Sequence, residues 1–275
     1  MYSDLIVESA GSGVVRILLN RPERLNAIRV ETLKQLERVF TVDLPSKREE
    51  VRVVVIGAVG EKVFSAGLDL TCPVVASIFS APGVTSPGVR ADELRTIIKA
   101  MQSPLLAIAN FPHPVICAVN GLCFGLGVDI ACACDIRVAS RAASFSVREV
   151  KIGICADLGS LFFLPKISKS DSWVRKVSFS GSIFSADEAY TNGFVSDLVE
   201  GDAMACALKI AGEIAENATI AVAGTKENLN FSSRQNMTAA FDHVALWNSI
   251  KLQEVDVIST AIAKVFASKN SKAKL

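Results

Sequence analysis

The chain has 275 residues, half of them hydrophobic, and its 29 basic side chains nearly balance 28 acidic ones. That length can bury a sizeable core, and we expect a main domain with a smaller appendage. A formal charge of +1 gives no global field that would attract nucleic acid or an acidic membrane. Any anionic ligand must therefore be held locally.

The seven cysteines are scattered through apolar segments and form no CxxC pair. This usage is typical of reduced core thiols in an intracellular protein rather than of a disulfide framework. Cys132 and Cys134 are near neighbours, but two thiols and only two histidines in the chain make a poor zinc site. The start, MYSDLIVESAGSG, lacks the basic and apolar regions of a signal peptide, so no secretion is predicted.

The first third of the chain is predicted to form strand, strand, helix and strand. The strand segments are DLIVE, VVRILLN and VRVVVIGAV, and the helical segment is RVETLKQLERVF. Residues 72–90 are rich in proline, glycine, serine and alanine, which indicates a loop or mobile flap. A helix is predicted to follow at about 92–110.

Residues 100–128 contain no Asp, Glu, Lys or Arg, and their hydropathy alone would suit a membrane span. Their prolines and glycines would interrupt any single helix, so we predict a helix, the buried strand PVICAVNG and a glycine-rich turn. A short helix in GLCFGLGVDIACACD, the strand IRVAS and a helix SLFFLP that stops at Pro165 are predicted next. This places the charge-free interval at the centre of the core and predicts no membrane span.

From residue 201 onward the pattern is purely helical. Four amphipathic segments follow one another without an intervening strand: DAMACALKIAGEIAENA, AVAGTKENLNFSSR, MTAAFDHVALWNSI and KLQEVDVISTAIAKVF. The predicted fold class is therefore α/β, with an α/β core over 1–200 and an α-helical region over 201–275.

Two glycine-bearing turns follow predicted strands, GAVGEKVFSAGLDL and NGLCFGLGVD. Backbone N–H groups in such turns can converge on a phosphate or a developing oxyanion. Neither turn matches a P-loop or the full dinucleotide-binding pattern. Taken alone, each could equally be a tight turn without a ligand.

Three acids stand out, and each allows two interpretations. Glu149 could be a solvated salt-bridging residue beside Arg148 and Lys151, and Asp129 could be a first-turn helix acid favoured by the dipole. Asp157 lies in the apolar stretch KIGICADLGS, where it could cap the next helix or do chemistry. Composition does not separate these alternatives.

The order of the motifs resembles the crotonase (enoyl-CoA hydratase/isomerase) superfamily over about residues 4–266. The motifs are LNRPERLNAI, FSAGLDL, VNGLCFGLGVDIACACDIRVAS, FSVREVKIGICADLGSLFFLPK and FSADEAYTNGFVSDLV. Asp129, Glu149 and Asp157, with VALWNSIKLQEVD, are most similar to members that isomerise 3,5-dienoyl-CoA. A typical hydratase carries Glu at the position of Asp129 and lacks an acid at that of Asp157.

The resemblance implies a crotonase-like spiral of ββα units with a C-terminal helical region that builds trimers, often paired into hexamers. It implies an oxyanion hole made by backbone N–H groups of Ala66 and of Leu126, with Gly127 beside it. Leu126 departs from the family's usual triple glycine, so its side chain must point away from the thioester.

The implied reaction moves both double bonds of a 3,5-dienoyl thioester into conjugation with the carbonyl. Glu149 would handle C2 and Asp157 would handle C6, while Asp129 would support the proton and charge arrangement near Glu149. Apolar surroundings would raise the pKa of Asp157 and keep it able to give a proton. The nearest alternatives are a 2-enoyl-CoA hydratase and a non-catalytic binding protein, RNA-binding ones included, although the chain has no basic patch.

The resemblance also implies where the CoA part of the substrate binds, and it implies no separate cofactor. The expected residues are Arg24, Leu25, Ala27, Ala66, Gly67, Leu68, Asp69 and Leu70. Without the resemblance, Arg24 could be simply a solvated charge.

The sequence ends in Ala273-Lys274-Leu275, which resembles the peroxisomal Ser-Lys-Leu address read by an import receptor. A frayed basic tail is the alternative. With fatty-acyl chemistry the tripeptide favours peroxisomes, or glycosomes, over mitochondrion or cytosol.

Overall fold

The computed structural model describes residues 2–47, 49–78 and 86–272. Its strands are β1 (Leu5–Gly11), β2 (Val14–Leu19), β3 (Val53–Ala58), β4 (Val63–Ser65), β5 (Val115–Val119), β6 (Leu122–Phe124), β7 (Ile136–Ser140), β8 (Ser144–Ser146), β9 (Phe184–Ser185) and β10 (Asp197–Val199). Its helices are α1 (Val30–Arg38), α2 (Pro73–Ile78), α3 (Pro87–Ala109), α4 (Leu126–Ala133), α5 (Ser160–Ile167), α6 (Asp171–Ser180), α7 (Ala186–Thr191), α8 (Ala203–Ala215), α9 (Thr219–Ser232), α10 (Met237–Lys251) and α11 (Val255–Lys272).

Successive strand pairs feed two sheets, and this alternation makes the spiral. In the pairs β3–β4, β5–β6 and β7–β8, the first strand joins a six-stranded sheet ordered β1-β2-β3-β5-β7-β10 and the second joins a four-stranded sheet ordered β4-β6-β8-β9. β1 and β2 both lie in the large sheet, where they pair antiparallel, and β8–β9 is the antiparallel pair of the small sheet. The pairs β2–β3, β3–β5, β5–β7 and β7–β10 of the large sheet, and β4–β6 and β6–β8 of the small sheet, are parallel. The predicted spiral of ββα units is confirmed.

One face of the large sheet is covered by α8, the first helix after the strands. Its buried residues are alanines spaced by four, at positions 203, 207, 211 and 215. Because alanine has the smallest apolar side chain, the helix axis approaches the sheet closely and packs on Val53, Val55 and Ile116. The helical region therefore begins as part of the core packing.

An ion pair between Lys226 and Asp135 attaches α9 to the core at the starts of β5 and β7. Lys226 donates to Asp135 Oδ2 at 2.6 Å and to the His113 carbonyl oxygen at 3.1 Å. The same Asp135 oxygen accepts the Val115 N–H at 2.7 Å, at the start of β5. The pair thus fixes the register of α9 against the core, which apolar contacts alone would specify less sharply.

Two prolines lie inside helices. α3 contains Pro104 and ends at residue 109, as the helix predicted at about 92–110 requires, whereas α5 continues past Pro165, the predicted stop, to residue 167. A proline inside a helix costs about 3 kcal/mol. In α3 the buried side chains of Leu105 and Ile108 hold the following turn against the core, and Pro165 is exposed, where the carbonyl that it leaves unpaired can be hydrated.

Other expectations are corrected in detail. The segment 72–90 contains α2 and the start of α3, and only part of it lies within the described residues. The two-residue and three-residue strands of the small sheet and the helices α6 and α7 were not predicted. Residues 100–128 form the end of α3, β5, β6 and the start of α4, so the predicted helix and buried strand are present and β6 lies in the predicted turn. Among the described residues, no helix combines the length and the apolar character that a membrane span needs.

Candidate active site

Two predicted CoA-binding segments lie side by side. The Ile28 N–H donates to the Gly67 carbonyl oxygen at 2.8 Å, and the Asp69 N–H donates to the Ile28 carbonyl oxygen at 2.8 Å. Arg21 donates to Asp69 at 3.1 Å and to the Ala27 carbonyl oxygen at 2.6 Å. Hydrogen bonds from Thr71 and then from Arg21 lower the pKa of Asp69, so this carboxylate stays ionised and holds the two loops together.

The first of these segments is held in a rarely populated backbone conformation. Leu25 and Asn26 have φ angles of 52° and 49°, in the left-handed region that ordinary residues avoid. The buried Asn26 side chain maintains the turn by donating to the carbonyl oxygens of Val59 and Val63. Leu25 is 56% exposed as a result, next to an exposed Arg24.

The second segment meets the glycine turn that begins α4. A methyl group added at Gly67 would lie 2.9 Å from the Phe124 carbonyl oxygen and 3.5 Å from the Leu126 nitrogen. The Leu68 and Leu126 N–H groups have no hydrogen-bond acceptor among the described residues. Leu68 forms a β-bridge with Ile28, but the hydrogen bonds of that bridge are made by the Gly67 carbonyl and the Asp69 N–H. Two unpaired backbone donors therefore flank Gly67.

Ala66 does not supply one of these unpaired donors. Its N–H donates to the Leu25 carbonyl oxygen at 3.0 Å, so the backbone donor available on this side of Gly67 is that of Leu68 rather than the expected Ala66. Gly67 has a φ of 96°, and this turn decides which way each neighbouring N–H points. Sequence alone offers no signal for that choice, because a glycine permits several directions.

The start of α4 explains the Leu in place of the family's glycine. The Leu126 side chain is 2% exposed and belongs to the hydrophobic core, so only its backbone faces the glycine turn, as predicted. The next residue has no such room, because a methyl group at Gly127 would lie 3.1 Å from Ser65 Cβ. Gly127 therefore brings α4 close to the strand before Ala66.

Glu149 lies against this turn rather than in solvent. A methyl group at Gly125 would lie 3.4 Å from Glu149 Oε1 and 3.8 Å from Gly67 Cα, so both the carboxylate and Gly67 lie close to Gly125. Its other oxygen is buried without a hydrogen-bond partner among the described residues. Burial, and then the charge of Asp157, raise the pKa of Glu149. The salt-bridging alternative is not what the structure shows, since neighbouring Arg148 lies over the Phe124 ring instead.

Asp129 is the most deeply buried of the three acids, with 1% of its surface exposed. Its Oδ1 accepts the Ser160 N–H at 2.6 Å, and its Oδ2 has no partner among the described residues. Burial, then the charge of Glu149 and also that of Asp157, raise the pKa of Asp129 to about 7. Asp129 lies in the first turn of α4, but with a pKa of about 7 it is only partly ionised at neutral pH.

Asp157 lies in an irregular loop just before α5. The residue that begins that helix as its N-cap is Gly159, and the first N–H of the helix binds Asp129, so Asp157 is not the capping residue. Its neighbours Ala156 and Leu158 are buried in the core. Burial raises the pKa of Asp157, as predicted from its apolar surroundings.

The structure thus brings the three predicted acids into one electrostatic group. The charges of Glu149 and Asp157 raise the pKa of Asp129, and the charge of Asp157 raises that of Glu149, whereas burial raises that of Asp157. A raised pKa favours the protonated form of a carboxyl group, and such groups can exchange protons with a ligand. No group of three or more His, Cys, Asp or Glu side chains in the described part of the chain could hold a metal ion.

These features are those of a crotonase-type acyl-CoA site, and the chain belongs to the enoyl-CoA hydratase/isomerase family, whose model matches residues 9–257. It is similar to the mouse protein "Delta(3,5)-Delta(2,4)-dienoyl-CoA isomerase, mitochondrial", with 36% identity over 95% of this chain and 79% of the relative. It is also similar to the Arabidopsis thaliana "Delta(3,5)-Delta(2,4)-dienoyl-CoA isomerase, peroxisomal", with 32% identity over 99% of this chain and 97% of the relative. The crystal structure of an enoyl-CoA hydratase from Bacillus anthracis superposes with a TM-score of 0.83 at 25% identity, covering 97% of both chains.

The buried Asp129 carboxyl predicts a pH dependence of folding stability. Its pKa is about 7 in the folded chain, against an ordinary value of 3.8 for Asp, so the folded state binds the extra proton between about pH 4 and pH 7. The free energy of unfolding should therefore fall as pH rises through this window, and Asp129→Asn should remove that fall. Urea unfolding of both proteins at equal concentration from pH 4.5 to 8 measures the difference.

Asp4→Asn is the matched control. Asp4 is also buried, but hydrogen bonds from Arg29, Thr32 and Ser3 outweigh burial and lower its pKa to about 2. Its contribution is therefore constant above about pH 5 and is lost only at lower pH. A wild-type-minus-Asp129→Asn difference that stays constant between pH 4.5 and 7 would contradict the assignment.

Proposed function

We propose that this chain is an isomerase that converts a 3,5-dienoyl-CoA into the 2,4-dienoyl-CoA in fatty-acid oxidation. Relatives that carry this name match almost the whole chain. The observation that carries the proposal is the presence of a second acid with a raised pKa, Asp157, in the same group as Glu149. A double-bond shift from 3,5 to 2,4 needs one group to remove a proton at C2 and another to deliver one at C6.

The first step removes a proton from C2. The thioester oxygen accepts hydrogen bonds from the Leu68 and Leu126 N–H groups, which have no other acceptor among the described residues. Ionised Glu149, beside Gly125, takes the proton, and the electron pair spreads through a dienolate onto the oxygen. The backbone donors stabilise that charge without having to reorganise.

The second step protonates C6. Asp157 starts in its acid form, which burial favours, and gives its proton to C6 as the electron pair returns from the oxygen to the chain. Glu149 then holds a proton and Asp157 is ionised, so one proton must pass between the acids, or through solvent, to reset the site. Asp129, with a pKa of about 7, supports this redistribution.

The CoA portion lies along the paired loops. The exposed Arg24 is available to a phosphate, and Leu25, Ala27, Leu68 and Leu70 offer apolar contacts beside it. Gly67 and Asp69 hold the loops in register through the backbone and the Arg21 pair.

The substrate and the role of Asp157 are tested in one assay. Wild type should convert a synthetic 3,5-dienoyl-CoA, and Asp157→Asn should reduce kcat at least about 100-fold because the amide cannot deliver a proton. Glu149→Gln should do the same, while Asp171→Asn, at an exposed acid on α6, should leave the rate unchanged. Appearance of the conjugated product is followed by absorbance.

Three outcomes would contradict the proposal. Full activity of Asp157→Asn would show that Asp157 does not deliver the proton to C6. Rapid hydration of crotonyl-CoA without dienoyl conversion would make the chain a hydratase, and turnover of neither thioester would favour a non-catalytic binding protein.

We also propose that the chain forms a trimer or a pair of trimers through its C-terminal helices. Large apolar side chains on α9, α10 and α11 are exposed in the single chain: Leu229, Met237, Phe241, Leu246, Ile250, Val255 and Ile262. Many large apolar side chains exposed on neighbouring helices are typical of an interface. Sedimentation should show three or six copies, and Phe241→Ser should weaken the assembly, whereas Val42→Ser, remote in sequence and likewise exposed, should not. A monomeric wild type would refute this.

We propose a peroxisomal or glycosomal location, with Ala273-Lys274-Leu275 as the signal that an import receptor binds. The tripeptide lies outside the described residues, and the support is its sequence and the name of the plant relative, although the mouse relative is mitochondrial. An N-terminal fluorescent fusion should be peroxisomal, and deletion of Leu275 should leave it in the cytosol. Mitochondrial signal from the intact fusion, or peroxisomal signal after the deletion, would contradict the proposal.

A further inference from the structure

We propose that Gln102 is a positioning residue for the Asp157 carboxyl group. Gln102 lies on α3, far in sequence from the three acids, and its Nε2 donates to the Asp157 carbonyl oxygen at 2.6 Å. A carbonyl oxygen can only accept, so the amide NH2 must face it. This contact joins α3 to the one acid that lies outside regular secondary structure.

The loop that carries Asp157 has few fixed points of its own. It runs from Gly153 to Gly159, both with positive φ angles, between a 3-10 turn at Glu149–Ile152 and α5. Its first part is held because the Ile154 N–H donates to the Glu149 carbonyl oxygen, and its end because the Ser160 N–H donates to Asp129. Between these points the hydrogen bond from Gln102 is what fixes the backbone at Asp157.

A fixed carbonyl constrains the side chain of the same residue. The Asp157 carbonyl sets the ψ angle there, and the buried Ala156 and Leu158 resist rotation on either side. Together they limit the directions in which the carboxyl group can point. A proton donor displaced by about 1 Å can lose about 100-fold in rate, so a bond that fixes direction matters more to catalysis than to stability.

The inference rests on the proposed function, and its test separates the two proton transfers. Gln102→Met keeps the length and bulk of the side chain but removes the donor. We expect kcat for a synthetic 3,5-dienoyl-CoA to fall about 10- to 100-fold with KM within about twofold of wild type, because the CoA loops are untouched. In D2O, deuterium should still enter C2 of the recovered substrate, since Glu149 is unaffected.

Ser103→Ala is the matched control on the same helix. Ser103 is the next residue, is likewise half-buried, and donates a side-chain hydrogen bond to Glu37, away from the Asp157 loop. It should lose no more than about twofold in kcat, with a thermal midpoint shifted as much as that of Gln102→Met. Gln102→Glu is the second variant, since it preserves shape and replaces the donor by an acceptor, and it should repeat the kcat loss if Gln102→Met folds poorly.

The outcomes are distinguishable from failure of the proposed function. If wild type does not isomerise the dienoyl thioester, the function is wrong. If wild type is active, kcat values near wild type in Gln102→Met or Gln102→Glu, an equal loss in Ser103→Ala, or a parallel loss of C2 exchange would each overturn the positioning role.

Discussion

The site depends on one buried hydrogen bond, from the Ser160 N–H to Asp129 Oδ1. Asp129 lies on α4, whose first N–H has no acceptor among the described residues and lies beside Gly67, and Ser160 begins α5, directly after the loop of Asp157. The bond therefore ties these backbone donors to the loop that carries Asp157, the proposed second proton-transfer acid. The Asp129 carboxyl group that accepts this bond is buried, with no cation beside it among the described residues. Burial disfavours its ionised form and, with the neighbouring acids, raises the pKa of Asp129 to about 7.

The spiral makes this arrangement possible because consecutive ββα turns end next to each other. α4 follows the β5–β6 pair and the 3-10 turn of Glu149 follows the β7–β8 pair, so consecutive turns bring one acid each to neighbouring positions. The loop at Leu25 is joined to the same region through its bonds to residues 66–69. The sheets thus fix the positions of the helix start and the turns that present the acids.

Much of the frame was predictable from the sequence, since its signals are local. The β-branched runs of β3 and β5, the alanine period of α8 and the four terminal helices follow from hydrophobic periodicity. The small sheet was not predictable, because strands of two or three residues have no period of their own and form only when the neighbouring turn supplies a partner. Continuation of α5 past Pro165 depended on the exposure of that turn, which the sequence does not reveal.

The acids, the glycines of the two turns and their order can be read from the chain, and these were enough to suggest the family and the reaction. Which groups are available depends on the folded structure. The fold engages the Ala66 N–H, leaves that of Leu68 without an acceptor among the described residues, and makes Asp129 rather than Asp157 the partner of the first N–H of α5. It also brings Gln102 to the Asp157 carbonyl. The physical reason is that hydrogen-bond direction and burial depend on contacts between residues distant in sequence, whereas composition and spacing record only which groups the chain contains.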